Sequence, residues 1–218
     1  MSAPPRTERG TRTRRRILDV AATVFAERGY HDASIVKITE AAQVAQGTFY
    51  LYYSSKQEVF EEVVRDLNSR VRQAMFAASS AQPDRLAAER AGFRAYFRFT
   101  AQHPELYRIM RQAESVAPHV LREHYDRIAA GYVAGLRAAQ ARGELDEAVD
   151  PEIAAWALMG IGELVGLRWV LWERQDRAGP SPADGVPAGP PTDGVPARVF
   201  EATLRLVERA LTPGGPHR

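Results

Sequence analysis

Apolar residues recur three and four positions apart along almost the whole 218-residue chain, and no stretch alternates with period two. Helix is therefore the regular structure open to this sequence, and the fold class it predicts is all-α. The periodic segments run over about 14–28, 35–42, 47–53, 55 onward, 83–101, 104–111, 117–142, 151–174 and 198–211. Pro83, Pro104, Pro118 and Pro151 stand at or near helix starts, where a missing N–H leaves nothing unsatisfied. Gly29 and Gly143 stand where helices stop. Asp32 or Ser34 can cap the short second helix, and Ser55 with Glu58 forms a capping box for the long fourth one.

Composition removes several kinds of chemistry. There is no cysteine, so disulfides, thiolate metal sites and cysteine nucleophiles are absent. The five histidines include no H-E-x-x-H pair, and no P-loop, G-x-S-x-G or G-x-G-x-x-G occurs, so an enzyme is not expected. No metal or organic cofactor is expected either. The polar start, MSAPPRTERGTRTRRR, has no apolar stretch behind it, so a cytoplasmic protein is expected. Residues 153–172 are long and apolar enough to span a bilayer, but Glu163 at their centre and Arg168 near their end argue for a core or subunit-interface helix. No membrane partner is expected.

Charge is informative by position. The net charge is only +2, yet Arg6, Arg9, Arg12, Arg14, Arg15 and Arg16 face the single acid Glu8 within sixteen residues. Such an arm suits a polyphosphate or an anionic membrane. Downstream, two short helices joined by about four residues, 43–46, match a helix-turn-helix, whose second helix enters a major groove. Phe49 and Tyr53, four apart, share the face that packs inward, leaving Tyr50 and Tyr52 pointing elsewhere. Lys56 occupies the first turn of the fourth helix, where the dipole disfavours a cation by about 0.3–1 kcal/mol. With free amides beside it, that ammonium reads as a phosphate contact.

The stretch from Ser34 to Phe60 resembles the DNA-binding domain of the tetracycline-repressor-like (TetR) family of one-component regulators. The resemblance is carried by Ser34, Ile38, Ala42, Val44, Gly47, Thr48, Phe49, Tyr50, Tyr52, Ser55 and Lys56. The sequence departs from the family pattern at Thr39, at Gln43 in place of the turn glycine, at Ala45 in place of serine, and at Tyr53 in place of phenylalanine. The resemblance implies a homodimer with a three-helix DNA-binding domain, here 1–55 with its basic arm, and a ligand-binding and dimerisation domain, here 56–218. It implies phosphate contacts from Ser34, Thr48, Tyr50, Tyr52 and Lys56, and base-edge contacts from Gln46, Gly47 and Leu51. Arg12 and Arg14 of the arm are expected on the same DNA.

By the same resemblance the last two helices form the dimer interface, with Gly162, Gly166, Trp169, Phe200, Leu204 and Val207 on it. Residues 176–197, rich in Pro and Gly and carrying Asp-Gly-Val-Pro-Ala twice, are expected to be a flexible linker between those helices. Phe93, Tyr96, Phe97, Tyr107, Met110, Tyr125, Trp156 and Met159, with Arg111 to hold a polar end, are the expected lining of an apolar effector pocket. The expected function is a repressor that binds a palindromic operator in double-stranded DNA and is released by a fatty-acyl or aromatic effector. The competing expectation is an architectural DNA-binding protein that needs no ligand.

Overall fold

The structure, a computed structural model, describes residues 7–173 and 194–212. Every regular element among them is helical: α1 (Glu8–Asp32), α2 (Ile35–Ala41), α3 (Gln46–Tyr50), α4 (Lys56–Ser79), α5 (Arg85–Gln102), α6 (Glu105–Val116), α7 (Pro118–Ala141), α8 (Pro151–Gly166) and α9 (Ala197–Leu211). A π-helical turn, Leu167–Trp172, continues α8. α1 begins six residues before the predicted start because Thr7 caps it, its Oγ1 accepting from the Gly10 amide at 3.1 Å. Gly29 breaks the helical dihedrals with φ 78°, and the chain makes one further turn before α2. Ser34, not Asp32, caps α2. α6 runs five residues beyond the predicted Arg111, since Ala113 is buried and no breaker intervenes before Pro118.

The chain divides into two compact units. The first comprises residues up to Ser69 together with Glu105–His124. Its core is built from the inward stripe of α1 (Ile17, Leu18, Ala21, Val24, Phe25) against Phe49 and Tyr53 and the Val59–Leu67 stripe of α4. The Phe25 ring meets Phe60 edge-on at 5.0 Å, and Tyr30 lies over both. α6 joins this unit along α1, and Gln112 Nε2 donates to the Phe25 carbonyl at 3.1 Å.

The second unit comprises Arg70–Pro104 and the chain from Tyr125 onward. α5 is its centre, in contact with α8, the π turn and α9. Phe97 of α5 meets Phe200 of α9 edge-on at 6.4 Å, and Arg90 holds Glu201 through two hydrogen bonds of 2.8 and 3.2 Å. Glu89 is buried between Arg85 and the Tyr132 hydroxyl. A Cβ on Gly135 would lie 2.3 Å from Arg85 Nη1, so the glycine leaves the space that the guanidinium fills.

Of the expected 176–197 linker, residues 176–193 lie outside the described residues, as do Arg6 and Arg174. The remainder corrects the expectation. Gly194 and Val195 are buried, and Gly194 has φ 80° with its missing Cβ site 2.1 Å from the Phe97 carbonyl oxygen. The chain is seated on α5 there, and Ala197 already begins α9. The Pro151–Trp172 stretch is long and apolar enough to cross a membrane by length and composition. In the structure it packs on α5, and its Glu163 accepts a 2.9 Å hydrogen bond from the Tyr125 hydroxyl.

Candidate nucleic-acid interface

The α2–α3 turn is made without glycine. Gln43 adopts φ 52°, a left-handed conformation costing on the order of 1–3 kcal/mol in a side-chain-bearing residue. Two backbone bonds hold it there, Gln43 N–H to the Glu40 carbonyl and Val44 N–H to the Thr39 carbonyl, both 3.0 Å. Ala45, the N-cap of α3, offers no side-chain acceptor to the helix.

α3 has three distinct sides. Phe49 and, just beyond the helix, Tyr53 are fully buried against the core. Thr48 and Tyr52 lie on one flank and line a groove of about 400 Å³, together with Thr7, Arg9, Gly10, Thr13 and Arg16 from α1 and its cap, and Gln43, Val44 and Ala45 from the turn. Gln46, Gly47, Tyr50 and Leu51 are exposed. A Cβ at Gly47 would meet nothing within 4 Å, so the protein's own packing does not require glycine there. The expected contacts thus separate, with Thr48 and Tyr52 at the groove and Gln46, Gly47, Tyr50 and Leu51 on the exposed side.

The cations of α1 divide by helical face. Arg9 and Arg16, seven apart with Thr13 between them, share the groove and have no ion-pair partner among the described residues. Arg12 is exposed and pairs with Glu8 at 3.6 Å. Arg14, expected on the DNA, is placed apart from Arg9 and Arg16. It sits three and four residues before Ile17 and Leu18 on the buried stripe, pairs with Glu62 and covers the Tyr53 ring at 5.5 Å. Burial raises the Glu62 carboxyl above the ordinary carboxylate range even with Arg14 beside it. Arg15 is also engaged, forking both oxygens of Asp66 at 2.6 and 3.1 Å.

Lys56 is held by the chain's own carbonyls. Its ammonium donates to the carbonyls of Tyr30 (2.8 Å), Ala33 (2.9 Å) and His31 (3.3 Å), which occupies its three protons. The break at Gly29 presents these carbonyls beside the start of α4, so the unfavourable helix-dipole position is offset locally. In this structure Lys56 ties α4 to the α1–α2 corner. Ser34 is committed as well, its Oγ accepting from Lys37 N–H at 3.2 Å as the cap of α2. The capping box at α4 has one change. Ser55 Oγ accepts from Glu58 N–H at 3.1 Å, while the Glu58 carboxylate returns to Ser54, to its N–H and its hydroxyl, both at 2.7 Å.

The expected effector residues are divided between the two units. Tyr107, Met110 and Arg111 belong to the first unit, where Tyr107 is buried and Arg111 exposed. Phe93, Tyr96, Phe97, Tyr125, Trp156 and Met159 belong to the second, where Phe93 and Phe97 are core residues and Tyr125 packs on Trp156 at 6.0 Å. Most of the expected dimer residues lie in the core of their own chain. Gly162, Gly166, Phe200, Leu204 and Val207 are buried within their own chain, and a Cβ on Gly162 would already touch Phe93 at 3.5 Å. Trp169 is half-buried. On α8, its π turn and α9, the large apolar side chains left exposed are Ile153, Trp156, Leu164 and Trp172, which fall along one stripe at helical spacing, and Leu206.

Sequence reasoning missed Arg9, Thr13 and Arg16 as one face because it started α1 at residue 14. Extended to the Thr7 cap, their i, i+4, i+7 spacing is visible.

Residues 17–63 match the family described as bacterial regulatory proteins, tetR family. YdgC of Bacillus subtilis, a helix-turn-helix-type transcriptional regulator, is 44% identical over 64 residues, which is 29% of this chain and 33% of that protein. The fatty acid metabolism regulator protein of the same organism is 40% identical over 50 residues, 23% of this chain and 26% of that protein. The matches therefore span a third or less of these curated relatives. Among solved structures, the transcriptional regulator FadR from Bacillus subtilis in complex with stearoyl-CoA superposes with TM-score 0.73 at 19% identity, over 90% of this chain and 98% of that one. That similarity is one of fold.

Proposed function

We propose, for a chain that belongs through residues 17–63 to the tetR family of bacterial regulatory proteins, that it is a repressor and not an enzyme, binding a palindromic operator as a homodimer. In this reading residues 1–55 bind DNA, and 56–218 hold the effector and the second subunit. The observation that carries it is the groove beside α3, lined by two arginines together with Thr7, Thr13, Thr48 and Tyr52. A duplex backbone meets these as phosphate ligands while the exposed side of α3 reaches base edges.

A second copy of the chain is the proposed occupant of the exposed stripe on α8 and its π turn. An apolar row of that length is unusual on an isolated subunit and marks an interaction site. Fatty-acyl compounds are the proposed effector class, because a relative is named for fatty acid metabolism and a structure of the same fold holds stearoyl-CoA. The α5, α7 and α8 aromatics of the second unit are their proposed receptor.

The test begins with a duplex selected by the protein from a random pool. Its affinity should fall with salt, and Arg9→Ala and Arg16→Ala should each lower the log–log slope by about 0.9. A dimer should select two half-sites about one helical turn, 34–36 Å, apart or a multiple of it. Calorimetry with stearoyl-CoA, with and without the duplex, tests the effector. The ligand should weaken DNA binding by roughly 5–150-fold, and DNA should weaken the ligand equally. Equal ligand affinities in both titrations would leave an architectural DNA binder.

A further inference from the structure

We propose that this protein reads A·T pairs chiefly through the methyl groups of thymine, with Leu51, and Val36 on the preceding helix, as the methyl-reading side chains. The inference rests on the DNA-binding reading above and names the chemistry of its specificity. From Gln43 to Ser55 the sequence is QVAQGTFYLYYSS, without one charged residue. The commonest specific contact to guanine is a bidentate arginine or lysine, and acceptance from cytosine N4 uses a carboxylate. α3 can make neither. The cations around it are otherwise placed: Arg9 and Arg16 line the flanking groove, Lys56 is bound to three carbonyls, and Lys37 donates to the Asp32 carbonyl at 2.8 Å.

What α3 does present is one amide, Gln46, and exposed apolar surface. Leu51 is 69% exposed, and on α2 Val36 is 45% exposed. With Tyr50, three of the protein's exposed large apolar side chains fall within sixteen consecutive residues. The apolar feature of a major groove is the thymine C5-methyl, and glutamine complements adenine N6 and N7. The two contacts select the same base pair from its two strands.

The experiment replaces thymine by deoxyuridine, one position at a time, in the selected duplex, which removes the methyl group and leaves every hydrogen-bonding group in place. One or more half-site positions should lose about fourfold in affinity, the equivalent of one buried carbon. In Leu51→Ala or Val36→Ala the loss at the corresponding position should vanish, while the salt slope and the thermal midpoint stay at the parent values. Equal affinity for thymine and uracil at every position overturns the inference, as does a uracil effect that persists in both variants. A protein that binds no duplex at any salt concentration overturns the functional reading beneath it, and that result is distinct from a duplex bound without regard to its methyls.

Discussion

The ammonium of Lys56 lies 4.4 Å from the centroid of the Tyr30 ring while donating to the carbonyl of the same residue at 2.8 Å. Tyr30 in turn donates its hydroxyl to Gln57 Oε1 at 2.9 Å, so the α1–α2 corner and the first turn of α4 are joined from both sides. Lys56→Met keeps the aliphatic stem and removes the charge. It should lower stability by about 2 kcal/mol, the range for hydrogen bonds to a charged group, as measured by urea denaturation. The salt slope of DNA binding should be unchanged after correction for folded protein. A slope reduced by about one unit would restore the phosphate role.

Gly47 tests what the exposed side of α3 is for. Alanine there meets open space and has the better helix propensity, by up to about 1 kcal/mol. Gly47→Ala should therefore leave the thermal midpoint equal or raised while weakening operator binding. Unchanged affinity in a gel-shift titration would mean that no partner approaches the helix at this point.

Tyr53 is fully buried, and its hydroxyl has no hydrogen-bond partner among the described residues. Burial raises its phenol above the ordinary range, so it stays neutral. Removing an unsatisfied buried hydroxyl recovers its desolvation cost. Tyr53→Phe should stabilise the protein by about 1 kcal/mol in thermal or urea unfolding. Destabilisation would show that the hydroxyl has a partner.

Glu89 gives a pH dependence of known sign. Burial raises its carboxyl above the ordinary 4.5, and outweighs Arg85. The folded state then holds the proton more tightly than the unfolded chain, so its contribution to stability falls as pH rises from 4.5 through the folded pKa. The stability of the parent relative to Glu89→Gln should decline over that window in urea titrations at stepped pH. A constant difference between the two would contradict it.

Leu164 is 66% exposed in the middle of the apolar stripe, whereas Leu204 is 6% exposed. Leu164→Asp should give a helical monomer by light scattering and circular dichroism. Leu204→Asp should lose helicity, because it places a charge in the chain's own core. Retention of the dimer by the Leu164 variant would move the interface elsewhere.

Most of the fold was legible because helical periodicity reports which positions are buried. It is silent on what buries them. Phe200, Leu204 and Val207 form a clear apolar stripe, but α5 of the same chain covers it, and a sequence cannot distinguish that from a second copy. Cations are ambiguous in a related way. Arg14 and Arg16 are two residues apart, and only the phase of the helix separates an arginine that folds over Tyr53 from one that faces a groove. The partners of Lys56 in the fold were not legible because they are main-chain carbonyls, which every residue carries and no composition reveals. The helix-turn-helix itself was readable from spacing and ring placement, and the family resemblance marked the non-glycine turn at Gln43.

The break at Gly29 has its consequence in descent. Its left-handed backbone turns three carbonyls toward one ammonium, and an ordinary L-residue there would resist that geometry. A lineage that replaced Gly29 would lose the acceptors that Lys56 uses, and one that replaced Lys56 would leave those carbonyls without their donor. The two positions, 27 residues apart, are expected to be kept or lost as a pair.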